Sequence, residues 1–200
     1  MKLLSIVIVN KGETSASILK AGYDLSSISF FQRSTAQEFI TFTSRILTER
    51  TPLGGRQSVK EAEYYCHVFA RADGLTGVCF SDHEYPPRVA HTVLARILDD
   101  FAGQVPRPEW TSGNEVTKFQ GQIESYLAKF QDPAASDSMS RLQSDLDETK
   151  IILHNTIEAV LQRGEKLDDL VDKSEALSLQ SKAFYKTARK TNSCCGTSWG

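Results

Sequence analysis

Residues 139–191 read MSRLQSDLDETKIILHNTIEAVLQRGEKLDDLVDKSEALSLQSKAFYKTARKT, and their spacing decides how the chain is organised. Stepping from Arg163 by three and four residues in turn toward the N-terminus reaches Val160, Thr156, Leu153, Thr149, Leu146, Leu142 and Met139. The other direction gives Leu167, Leu170, Ser174, Leu177, Ser181, Phe184, Ala188 and Thr191. Of these sixteen positions ten carry Met, Leu, Val, Phe or Ala, and Arg163 is the only charge, so the pattern is a sustained heptad seam. A helix lying on its own domain would explain two or three heptads. It does not explain this length, because at roughly 1.5 Å per residue the helix would overrun any domain the rest of the chain could form.

Outward from the seam, Pro133-Ala134-Ala135-Ser136-Asp137-Ser138 has linker composition, and what precedes it has the periods of a globular domain. Leu3 to Val9 is a strand-like run, Asn10-Lys11-Gly12 a turn, and Ser15 to Tyr23 a returning strand. Ser27 to Arg50 is helical, with Phe31, Phe39, Phe42 and Ile46 at helical intervals, and ends in the loop Thr51-Pro52-Leu53-Gly54-Gly55. Tyr64 to Arg71 and Leu75 to Phe80 flank Ala72-Asp73-Gly74 as a hairpin. Pro86-Pro87 opens a helix whose face carries Val89, Val93, Ile97 and Phe101, and Glu115 to Phe130 is a further helix. The order β-β-α-β-β-α-α predicts an α+β domain, an antiparallel sheet sandwiched by helices, with Leu3–Val9 and Leu75–Phe80 at its centre.

Composition limits the function. Two hundred residues with 40% hydrophobic content support one modest core plus an extension, and a net charge of −2 gives no reason to expect nucleic acid as a partner. The four cysteines, Cys66, Cys79, Cys194 and Cys195, lack metal or redox spacing, which fits a reducing compartment and predicts no metal site. The N-terminal apolar run is of strand length without a cleavage site, and no run of about 18 apolar residues exists to span a membrane. Cys66-His67 invites a nucleophile–base reading, but neighbours in a strand point to opposite faces and no third group follows. Gly54-Gly55 lacks the lysine of a phosphate loop, so no catalytic residue is assigned.

Three stretches carry a family resemblance. The segment DETKIILHNTIEAVLQR followed by GEKLDDLVDKSEALSLQSKAFYKTARK resembles the SNARE motif of an R-SNARE. MKLLSIVIV, YDLSSISFFQRSTAQEF and YPPRVAHTVLARILDDF resemble a longin domain. Over residues 1 to 195 the chain is most similar to the branch without a transmembrane helix, anchored by lipid through a C-terminal cysteine pair. The resemblance implies a profilin-like longin domain over 1–132, a linker over 133–138, a long coiled-coil SNARE helix over 139–191 and a cysteine-containing tail over 192–200. It implies vesicle fusion in ER–Golgi, Golgi, endosomal and vacuolar or autophagic traffic, through a four-helix bundle with Q-SNAREs. A non-fusogenic longin adaptor for coat or tethering proteins is the alternative. Acyl transfer is a weaker family association with no residues to carry it.

Within such a bundle Arg163 would lie in the central layer, where three partner glutamines supply the acceptors a buried guanidinium requires and fix register. Gly164 costs about 1 kcal/mol inside a helix, and Thr149, Thr156, Ser174 and Ser181 thin the seam. Residues 139–191 are therefore expected to be largely unfolded, or borrowed by the longin domain, until partners arrive. The family folds its SNARE motif back on the longin domain, and Phe39, Phe42 and Ile46 are the candidate autoinhibitory surface.

The resemblance makes Cys194 and Cys195 lipidation sites, for palmitoyl and for a farnesyl or geranylgeranyl chain, and a family member's prenyl group can be sheltered between longin domain and SNARE motif. Lys182, Lys186, Arg189 and Lys190 precede them and would each add about 1 kcal/mol of attraction to an anionic leaflet. The tail departs from the family. Prenylation of the C-a-a-X type needs cysteine fourth from the end, and that position is Thr197. Three accounts stay open: an altered terminus, trimming, or attachment by palmitoylation alone. One reversible acyl chain anchors weakly, so a mainly cytosolic pool is expected, with a peripheral one on the cytoplasmic face of Golgi, ER-derived, endosomal or vacuolar membranes.

Overall fold

The computed structural model describes residues 2–61, 63–112, 114–131 and 150–194, with side chains to Thr187. Strands β1 (Leu3–Lys11) and β2 (Ala16–Tyr23) form the first hairpin. A 3-10 turn (Phe30–Gln32) leads into helix α1 (Arg33–Arg50), and strands β3 (Arg56–Glu61), β4 (Tyr64–Ala70) and β5 (Leu75–Asp82) follow. Helices α2 (Pro87–Gln104), α3 (Arg107–Thr111) and α4 (Gln120–Lys129) complete the N-terminal domain. From residue 150 onward come a short strand β6 (Ile152–His154), a 3-10 turn (Ile157–Val160) and helices α5 (Leu167–Lys173) and α6 (Leu179–Cys194).

One sheet runs β2-β1-β5-β4-β3-β6. Its first five strands are antiparallel, and β6 joins the β3 edge in parallel. β1 and β5 are neighbouring interior strands, as the apolar run LLSIVIV predicts for a strand covered on both faces. The unexpected β3 shifts the centre, so that β5 is the middle one of the five antiparallel strands and β1 lies next to the edge strand β2. Alternation divides β1 between two cores: Ile6 and Ile8 face α2 and α4, while Val7 and Val9 face α1. Each such fully buried side chain is worth about 1.5–3 kcal/mol.

Local chemistry accounts for the connections. Gly74, at φ 90°, closes the β4–β5 turn, where its N–H donates to the Arg71 carbonyl at 3.1 Å and the Asp73 carboxylate accepts the Leu75 N–H at 3.2 Å. Pro87 is the first residue of α2, where its missing N–H costs nothing. Gly22 lets α4 lie on β2, since a Cβ there would come within 2.2 Å of Ile123.

Several elements differ from the sequence reading: the helix expected from Ser27 begins at Arg33 after the 3-10 turn, and α3 was not expected. β3, RQSVKE, is a fifth strand of the domain that the pattern did not disclose, because Val59 is its one large apolar residue. The helix expected over 115–130 begins at Gln120. Phe119 before it holds φ 79° with its ring buried edge-on against Phe101, centroids 5.2 Å apart.

The C-terminal region is helical in part, but the single long helix expected there is interrupted within 150–194 by β6, the 3-10 turn and the gap between α5 and α6. A lone helix would leave its seam in water, whereas the broken form buries Ile157, Leu167, Val171 and Leu177 in the α1-side core. This is the borrowed arrangement. The linker 133–138 and the seam residues Met139, Leu142, Leu146 and Thr149 lie outside the described residues.

Candidate functional site

The site is the groove between α1 and the β3–β4 half of the sheet, together with the segment lying in it. Sheet pairing starts the docking: Ile152, Leu153 and His154 align with Gln57, Ser58 and Val59. The next turn buries Ile157 to 3%, and its N–H donates to the Glu61 carboxylate at 3.2 Å. That bond is charge-assisted and stronger than a neutral one.

Residues 162–165 then form a tight corner in which the Glu165 N–H donates to the Gln162 carbonyl at 3.0 Å and Gly164 holds φ 91°. The Glu165 carboxylate accepts the Gln162 N–H at 2.9 Å and bonds the Arg50 guanidinium at 2.8 and 3.0 Å. Arg163 sits on this corner with its side chain in solvent.

Beyond the corner, α5 turns Leu167 and Val171 inward, one helical turn apart, and exposes Asp168 and Asp169 at its positive N-terminal end. Leu177 is buried next. The Ser178 N–H donates to the Glu38 carboxylate at 2.8 Å, and this bond is the main cause holding that carboxyl below its usual range. The Ser178 hydroxyl accepts the Ser181 N–H at 3.1 Å, the geometry of a helix N-cap. Tyr185 on α6 stacks on Phe39 of α1, centroids 5.6 Å apart at 24°. Lys186 pairs with Asp172 at 2.9 Å and Lys182 donates to the Asp172 carbonyl at 2.9 Å, which ties α6 to α5.

The predicted seam residues separate here. Leu167, Leu177 and Ser181 are buried, Val160, Leu170 and Ser174 half-buried, and Thr156, Arg163, Leu153 and Phe184 exposed, the last two at 65% and 42%. Ala188 and Thr191 belong to α6, which ends at Cys194, while Cys195 is outside the described residues. Phe42 and Ile46 are buried in the core that the segment shares, and Phe39 is half-buried at its border. Sequence reasoning missed the residues that hold the segment off the seam, namely Ile157, Val171 and Tyr185, and the domain side chains that bond Ser178, Glu165 and Ile157, namely Glu38, Arg50 and Glu61. Ile157 and Val171 each stand one position past a seam residue, which was their only visible signal.

Docking leaves an apolar cavity of about 670 Å³ between α1, the turn at residues 27–32 and the docked segment, walled by Phe39, Ile40, Phe42, Leu167, Phe184 and Tyr185. Cys66 lies on its wall, its thiol pushed well up by burial and hence a poor nucleophile. His67 faces the other way. It bonds Ser58 at 2.8 Å and Ser81 at 3.1 Å, and Ser58 bonds His91 at 3.0 Å. Burial pushes both imidazoles down to about 3. Neither serves Cys66 as a base, and no group of His, Cys, Asp and Glu able to hold a metal occurs among the described residues.

A five-stranded antiparallel sheet between helices, extended at its edge by a heptad segment with a lone central arginine, is the form of a longin-domain SNARE in its folded-back state. The family model described as a regulated-SNARE-like domain matches residues 25–127, and the synaptobrevin model matches residues 138–195. The chain is 50% identical over 195 residues to the synaptobrevin homolog ykt6 of Schizosaccharomyces pombe, with 98% of each chain covered. It is 47% identical over 198 residues to the synaptobrevin homolog YKT6 of Saccharomyces cerevisiae and 48% to that of Eremothecium gossypii, again with 98% of each covered. The chain belongs to the longin-domain R-SNARE family and acts in vesicle trafficking, and that family is a non-enzymatic one. No helix among the described residues is long and apolar enough to cross a membrane.

Proposed function

We propose that this R-SNARE places Arg163 in the central layer of a four-helix bundle with three Q-SNARE helices, and that the groove on its own longin domain withholds the motif until they arrive. One observation carries this reading. Leu167, Leu177 and Ser181 are buried against the domain while the backbone breaks at Gly164, so the same residues cannot at once form a continuous bundle seam. Docked and assembled forms exclude each other, which makes the groove autoinhibitory, with Phe39, Phe42 and Ile46 on its α1 side.

Membrane attachment rests on Cys194 and Cys195 carrying palmitoyl, with a prenyl chain where the terminus permits one. In support, the cavity beside Phe39 and Phe184 is apolar and within the 300–1,000 Å³ range of small-molecule sites, so an acyl or prenyl chain fits its chemistry. The protein would then divide between the cytosol and the cytoplasmic face of ER-derived, Golgi, endosomal and vacuolar membranes.

The test is SDS-resistant complex formation with Q-SNARE helices by the whole chain, by Arg163→Ala and by a form lacking residues 1–132. Seam-dependent assembly that accelerates without the longin domain supports the proposal. No assembly by either form would favour the adaptor reading.

A further inference from the structure

The turn leading into α1 presents two adjacent rings to solvent, Phe30 at 76% and Phe31 at 85% exposure, packed edge to face with centroids 5.8 Å apart. It is a braced turn. The Asp24 carboxylate accepts the Ser26 N–H at 3.2 Å, the Leu25 carbonyl accepts the Ile28 N–H at 3.0 Å, and the Ser29 carbonyl accepts the Gln32 N–H at 2.8 Å. Arg33 donates back to the Ile28 carbonyl at 3.1 Å, which sets its guanidinium 5.9 Å from the Phe30 ring centre. Folding thus holds two apolar rings outward on a fixed support with a half-exposed cation beside them, although neither ring joins a core.

We propose that Phe30, Phe31 and Arg33 form a tip that touches the surface of an anionic lipid bilayer while the SNARE motif is still docked. Size argues against a protein partner. Two phenylalanines bury roughly 150–250 Å² each, well short of the about 800 Å² per side of a stable protein interface, and serines surround them at 26, 27 and 29. Shallow insertion into a headgroup layer needs no larger surface, and a cation beside aromatic rings suits an anionic one.

Position argues the same way. Ser29 and Gln32, on either side of the pair, line the same apolar cavity as Phe184, and α6 runs on from Phe184 to Cys194. The basic run Lys182, Lys186, Arg189 and Lys190 lies on that helix. The turn bearing the tip and the helix leading to the cysteines therefore border one cavity. The contact requires no attached lipid, so it is separable from the lipidation reading.

The experiment uses the full chain with Cys194→Ser and Cys195→Ser, and vesicles of phosphatidylcholine with and without phosphatidylserine. In a Trp199→Phe background, where the remaining Trp110 is buried in the core, brominated phosphatidylcholine should quench the emission of Phe31→Trp beyond that of the parent carrying Trp110 alone, more so with phosphatidylserine present. Phe30→Ser/Phe31→Ser should lower the vesicle-bound fraction at least about fivefold with an unchanged melting temperature. Absence of quenching together with unaltered vesicle binding overturns the proposal. So does a serine pair that keeps vesicle binding but slows Q-SNARE assembly or releases the docked segment in hydrogen exchange, since the rings would then serve a protein contact.

Discussion

Arg50 and Glu165 join the last turn of α1 to the residue two beyond Arg163, through one guanidinium nitrogen and both carboxylate oxygens at 2.8 and 3.0 Å. Both side chains are largely screened from water, at 20% and 27% exposure, and Glu165 also accepts the Gln162 N–H, so the pair fixes the corner on which Arg163 stands. Arg50→Ala should weaken docking by about 0.5–1.5 kcal/mol, in the range of charge-assisted bonds that retain some solvent. Hydrogen exchange over residues 152–173 should rise several-fold while the β1 and β5 amides stay protected. An unchanged rate at Ile157 and Leu167 would show that the apolar residues hold the segment without the pair.

Phe39 and Phe42 should part company on substitution. Phe42 is 8% exposed in the core that α1 shares with the sheet, so Phe42→Glu buries a charge there and should cost the domain several kcal/mol along with the docked state. Phe39 is half-buried and its ring lies on Tyr185, so Phe39→Ala should release α6 and hasten Q-SNARE assembly with little change in melting temperature. A large fall in melting temperature for Phe39→Ala would place its ring in the domain core instead.

The histidines make stability depend on pH. His67 and His91 are buried and neutral, with pKa values lowered by burial from 6.5 to about 3. The folded state therefore binds fewer protons than the unfolded chain between those values. Stability should be flat above pH 6.5 and fall as pH drops toward 3, by up to about 1.4 kcal/mol per pH unit for each histidine. Urea melts at pH 7 and pH 5 decide it: equal midpoints would mean that the imidazoles protonate without unfolding the domain.

Much of the fold was legible because periodicity reports burial. LLSIVIV announced an interior strand covered on both faces, Val89, Val93, Ile97 and Phe101 a helix face, and Asp73-Gly74 a turn. β3 was not legible, since its buried positions include Gln57 and Ser58, with Ser58 bonded to His67 and His91 on the side facing α2. The groove was half legible. Heptad spacing describes a segment surrounded by partner helices, and the docked state uses a second set of residues, Ile157, Val171 and Tyr185, that this spacing passes over. Two burial patterns share one stretch of chain, and the stronger one hides the other.

Gly164 is the point at which the two patterns meet. Its φ of 91° lies in the region that favours glycine, and nothing stands within 4 Å of where a Cβ would project, so Gly164→Ala would meet only a conformational penalty. That penalty is about 1–2 kcal/mol against the docked corner. In a bundle the same position is helical, where alanine is favoured over glycine by about 1 kcal/mol. Both effects have the same sign, so Gly164→Ala should shift the equilibrium from docked toward assembled by about 2–3 kcal/mol. Q-SNARE assembly by the full chain should then approach the rate of the form lacking residues 1–132, where the substitution should alter the rate little. An equal acceleration in both forms would assign the effect to helix propensity alone and remove Gly164 from the closing of the groove.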